Sequence, residues 1–79
     1  MGKWNTLTYR IVVKVLKKFG CYKVREGSKA SHEIWFSPIT KNEFTMLKPH
    51  GGGKTYRIGT IQTIVSQAGI DKKEFIDYV

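Results

Sequence analysis

His32, His50 and Cys21 are the only side chains in this sequence whose ordinary pKa lies within about two units of neutrality. The six carboxylates form no sequence-close cluster that reads as a metal cage, and Glu26 and Glu33 read as polar groups at strand edges. With one cysteine, neither an internal disulfide nor a Cys-based metal site can form. An enzyme drawn from this inventory works with few side chains and without a tightly held metal or cofactor. Cleavage of RNA by its own 2′-hydroxyl suits that restriction, because it brings its own nucleophile. It needs a general base or acid near neutral pH and positive groups against the developing phosphorane charge. Histidine, ordinarily titrating at about 6.5, supplies the first. The fourteen Lys and Arg residues can supply the second.

His32 follows Gly27-Ser28-Lys29-Ala30-Ser31 directly and opens a strand pattern. Its ring can therefore stand at a sheet edge beside flexible backbone donors. The alternative is packing beside Ile34 and Phe36 on one strand face, which is the commoner role for a histidine so placed. His50 sits in Pro49-His50-Gly51-Gly52-Gly53-Lys54, where backbone N–H groups can meet a phosphate, or where the ring is simply exposed. Gly53-Lys54-Thr55 imitates the end of a nucleotide-binding P-loop, but Lys48 stands where that motif requires glycine. That chemistry is excluded. Trp4, Tyr9, Tyr22, Trp35 and Tyr56 could stack on bases, although a chain this small uses most aromatics as core. Trp35 points away from the Ile34/Phe36 face, either as packing on the other side or as an exposed contact.

The elements that must hold these residues follow from hydrophobic spacing. Leu7, Ile11, Val12, Val15, Leu16 and Phe19 recur at helical spacing, with Asn5 as N-cap and Gly20 as stop. Cys21–Arg25, His32–Ser37 and Glu43–Lys48 read as short strands joined by hairpin-length links. In the last of these, Phe44 and Met46 alternate against Thr45 and Leu47. Thr60 is placed to cap a helix carrying Ile61, Ile64, Val65 and Ala68 and ending at Gly69. Asp71, with Glu74 three residues on, opens a last short helix. The result is one α+β domain over residues 1–79: a three-stranded antiparallel meander with helices on one face, in the order α-β-β-β-α plus a short C-terminal helix.

Seventy-nine residues are too few for a doubly wound enzyme or a barrel. At 41% hydrophobic and 13% aromatic the chain is not a disordered tail. The formal charge of +8 attracts polyanions, of which nucleic acid is the commonest met by small basic domains. Between Lys3 and Lys29 Glu26 is the sole acid, whereas Asp71, Glu74 and Asp77 gather at the end, so the positive surplus is concentrated in the N-terminal part. No apolar run approaches the ~20 residues of a membrane span, and no signal peptide is read. A cytoplasmic location is expected.

Taken together, the segments resemble the HicA family, the toxins of bacterial HicA–HicB toxin–antitoxin pairs. The resemblance rests on Leu16-Lys17-Lys18-Phe19-Gly20, on Val24-Arg25-Glu26-Gly27 followed by Ser31-His32-Glu33-Ile34-Trp35, and on Lys48-Pro49-His50-Gly51. Its most recognisable stretch is Ile58-Gly59-Thr60-Ile61 running on to Gln67-Ala68-Gly69-Ile70. Ala30 stands where the family places glycine, and Gln62 where it often has arginine. The resemblance implies a fold like the double-stranded RNA-binding domain, metal-independent cleavage of messenger RNA, and neutralisation by a HicB antitoxin. It maps the family's catalytic histidine onto His32. By their charge or polarity and their neighbourhood in sequence, Lys29, Ser31, Lys54, Arg57 and His50 are the expected RNA and phosphate contacts, with Gly27, Ser28 and Ser31 shaping the turn. An RNA-binding module of the same fold that cuts nothing is the alternative.

Overall fold

The computed structural model describes residues 2–29, 31–49 and 54–79, with Gly2 and Lys3 described by backbone alone. A 3-10 turn at Gly2–Thr6 leads into α1 (Tyr9–Lys18), then β1 (Tyr22–Glu26), β2 (His32–Ser37) and β3 (Asn42–Leu47), then α2 (Ile58–Gln67) and α3 (Lys72–Asp77). The strands form one antiparallel sheet in the order β1-β2-β3. This is the expected α+β arrangement: a helix, a meander, a second helix and a short C-terminal one.

Both long helices end as glycine dictates. Gly20 and Gly69 take φ values of +89° and +76°, a region costly for residues with a Cβ. At each end the glycine N–H and the next N–H reach back to the last turn: Gly20 to Lys17 and Cys21 to Leu16, Gly69 to Ser66 and Ile70 to Val65. Asp71 caps α3 as its position foretells, accepting from the N–H groups of Lys73 and Glu74.

The other two helix starts differ from expectation. Thr8, and not Asn5, caps α1, with its Oγ1 accepting from the Ile11 N–H. Leu7 and Thr8 are held out of the helix by tertiary pairing: the Leu7 carbonyl accepts from the Tyr56 N–H at 2.9 Å, and Thr8 bridges Thr55. Helix α2 begins at Ile58, two residues before Thr60, after an extended Arg57 that provides no side-chain cap.

The core lies on one face of the sheet. Val12, Val15 and Leu16 from α1 and Ile61, Ile64 and Val65 from α2 meet Trp35, Phe44 and Met46 from the strands, with Leu7 and Phe75 closing the ends. In β3 the phase is the expected one. In β2 the buried phase is Glu33, Trp35 and Ser37, while His32, Ile34 and Phe36 occupy the open face and are only partly buried. Trp35 is thus packing on the helix side. Ser37, fully buried, donates to the Ala68 carbonyl at 2.6 Å and accepts from the Ile39 N–H, tying the end of β2 to the end of α2.

Candidate functional site

The β1–β2 hairpin positions His32. The Gly27 N–H donates to the His32 carbonyl at 2.9 Å, and the His32 N–H donates to the Lys29 carbonyl at 2.9 Å. A side chain at residue 27 has no room, since a Cβ there would stand 2.9 Å from the His32 Cβ and 3.1 Å from its carbonyl oxygen. On the other side β2 pairs with β3, His32 opposite Leu47, and the pairing runs on through the Lys48 N–H to the Ser31 carbonyl at 2.8 Å. His32 is therefore fixed by backbone contacts on both flanks, at the rim of the sheet's open face.

Leu47 also lines a groove of about 330 Å³ between the end of β3 and the start of α2. Lys48, Lys54 and Arg57 contribute its cations and Thr55, Tyr56 and Thr60 its hydroxyls, and among the described residues no carboxylate lines it. Directly opposed residues in an antiparallel pair stand about 4.5–5.5 Å apart at Cβ, so His32 and the groove share Leu47 as a wall. A cationic trough beside an imidazole can hold a phosphodiester while a proton moves.

Beneath this rim lies a polar hub that the sequence did not announce. Glu33 is only 2% exposed, and its carboxylate is fully engaged. The Tyr9 hydroxyl donates to its two oxygens at 2.7 and 2.9 Å, the Trp35 indole N–H donates at 2.9 Å, and the ammonium groups of Lys48 and Lys23 lie 3.3 and 3.4 Å away. Lys23 also pairs with Glu26. Burial pushes the Glu33 carboxyl up, but hydrogen bonds from Trp35, Tyr9 and Lys48 and the charge of Lys23 outweigh it and hold the group below its ordinary value. Glu33 is a fixed anion. Burial raises the Tyr9 and Tyr56 phenols, reinforced at both by the Glu33 charge, so both stay protonated. The Tyr56 hydroxyl donates to the Leu47 carbonyl, which clamps the shared wall.

Of the residues singled out from the sequence, Lys54 and Arg57 line the groove. Lys29 is exposed in the β1–β2 turn and Ser31 is partly buried there, both outside the groove lining. Neither is His32 part of that lining; it abuts the groove through Leu47. His50 lies outside the described residues, as do Ala30 and the three glycines that follow His50. Lys48 and Glu33 are the residues that sequence reasoning missed. The available signal was Trp35: once its bulk is placed in the core, its N–H needs an acceptor, and Glu33 is the residue two back on the same strand face.

No curated protein and no solved structure matches the chain. The family described as HicA toxin of bacterial toxin-antitoxin matches residues 9–70, from the first residue of α1 to the last residue before the Asp71 cap. That span takes in the whole sheet, the hub and the groove, and by it the chain belongs to the HicA toxin family.

Proposed function

We propose that this toxin is an endoribonuclease that cuts messenger RNA, with His32 moving the proton, and that its antitoxin partner is a HicB protein. In this scheme the imidazole of His32 takes the proton from a ribose 2′-hydroxyl. The freed oxygen attacks the adjacent phosphorus, an O2′–P bond forms, and the P–O5′ bond breaks. The departing 5′ oxygen receives a proton from the imidazolium or from water. The products carry a 2′,3′-cyclic phosphate and a 5′-hydroxyl, and the step as written asks for no metal.

Lys54 and Arg57 in the groove hold the phosphate and offset the charge that builds on it. Lys29 and Ser31 contact RNA from the turn, and Gly27 and Ser28 shape that turn. His50 is an additional phosphate contact in this scheme. The observation that carries the reading is the shared wall: a histidine fixed at the rim of the sheet, paired with Leu47, which lines a groove whose charged lining residues, Lys48, Lys54 and Arg57, are all cations. An antitoxin that covers this basic rim silences the enzyme by excluding RNA.

The test is side-by-side expression of wild type and His32→Ala, scoring growth and messenger RNA decay, with extracts treated with chelator. Growth arrest and chelator-resistant decay that both vanish in His32→Ala support the scheme. If His32→Ala still cleaves RNA, or if wild type binds RNA and never cuts it, the chain is instead the RNA-binding module.

A further inference from the structure

We infer that Lys48 is a phosphate-binding cation of the groove and that Glu33 is its positioning residue; the inference rests on the RNA-cutting reading above and assigns two residues to it. Lys48 is tied to His32 from both sides. Its backbone N–H bonds the carbonyl of Ser31, the residue before His32, and its ammonium lies 3.3 Å from the carboxylate of Glu33, the residue after. The side chain is still one-third exposed, at 34%, and lines the groove with Lys54 and Arg57.

The two lysines on the Glu33 carboxylate are not equivalent. Lys23 has a second acidic partner in Glu26, whereas Lys48 faces the groove. The carboxylate spreads its charge over Tyr9, Trp35 and both lysines, so it orients the Lys48 ammonium without consuming its attraction for a further anion. A lysine ammonium is a point charge on a flexible stem and needs such an anchor to act at a fixed place. A phosphodiester in the groove meets one cation of set position and two exposed ones.

The sign of the charge change separates positioning from bulk electrostatics. Glu33→Gln makes the protein one unit more positive, so attraction to RNA is kept or strengthened, while Lys48 loses its anchor. The experiment uses a single-stranded RNA carrying 2′-O-methyl riboses, which cannot be cut, and measures affinity across a salt series for wild type, Lys48→Met, Lys48→Arg and Glu33→Gln. Unmodified RNA gives cleavage rates at saturation. Lys48→Met is expected to reduce the slope of log affinity against log salt by about 0.7, the loss of one single-strand phosphate contact, and Lys48→Arg to retain it. Glu33→Gln is expected to bind at least as tightly as wild type yet cleave roughly ten- to a hundredfold more slowly, as a misplaced group does.

An unchanged slope in Lys48→Met, or wild-type cleavage by Glu33→Gln, overturns the assignment. If Glu33→Gln does not fold, Glu33→Asp keeps the charge and draws the ammonium back by one methylene; slower cleavage at wild-type slope supports positioning, and an unchanged rate refutes it. A wild-type protein that binds but never cuts removes the nuclease reading, and leaves the salt slope to judge Lys48 alone.

Discussion

Gly27→Ala is the sharpest probe of whether the placement of His32 matters. Gly27 is not in the left-handed backbone region, so the substitution acts through contact and not through φ. The new methyl would sit 2.9 Å from the His32 Cβ, 3.1 Å from its carbonyl oxygen and 3.2 Å from its carbonyl carbon. Carbon atoms settle about 3.5–4.0 Å apart, so the start of β2 must retreat by about half an ångström or more. Backbone and Cβ atoms cannot rotate out of the way. Overpacking of this kind costs about 1–3 kcal/mol, less than the roughly 4–12 kcal/mol expected for a chain of this length. The fold is expected to survive with a melting temperature lower by several degrees, about 4–8 °C per kcal/mol. Cleavage is expected to fall by roughly ten- to a hundredfold, since a displacement near 1 Å at a reacting group can cost about that much. Initial rates on a fluorogenic RNA, beside circular-dichroism melts, measure both. Gly59→Ala is the control, because a Cβ there meets nothing within 4 Å. A folded Gly27→Ala protein that cuts RNA as fast as wild type would refute the reasoning.

Two further outcomes follow from the hub and the core. The Glu33 carboxyl is held below its ordinary value in the folded chain, so its contribution to stability is present above the unfolded pKa of about 4.3 and is lost as pH falls through the folded value; melts from pH 7 down to 2.5 should steepen below pH 4.3 in wild type and flatten in Glu33→Gln. Ser37→Ala leaves the Ala68 carbonyl and the Ile39 N–H without their shared partner, and urea unfolding should show a loss of about 1–3 kcal/mol.

The sequence exposed the parts of this fold that local chemistry decides. Gly20 and Gly69 stop helices because the backbone there turns left-handed, and Asp71 caps because its carboxylate reaches two free N–H groups. Phe44 and Met46 show their phase because their neighbours are polar or less buried. What stayed hidden depends on distant partners. Asn5 offers a cap, but Tyr56 and Thr55 capture Leu7 and Thr8 and move the helix start. The β2 alternation misleads because its apolar-looking phase, Ile34 and Phe36, faces outward, while the buried phase holds a carboxylate and a hydroxyl. That carboxylate is stable in the core only with Tyr9, Trp35, Lys23 and Lys48 around it, groups from α1, β2, β1 and the end of β3 that no local window contains together. For the site, Lys54 and Arg57 were visible as charges near a glycine loop. Lys48 was not, because its meaning comes from the sheet pairing that sets it beside Ser31 and Glu33.

The register slip between Lys23 and Arg25 bears on how the chain behaves in concentrated solution. β1 is an outer strand, exposed along its whole length, and a straight outer strand is a template for filament growth. A kink of this kind bends and twists the strand locally, which interrupts the straight edge that a second copy would have to match. Of the two outer strands, it is β1 whose edge is broken in this way, whereas β3 pairs with β2 without a slip.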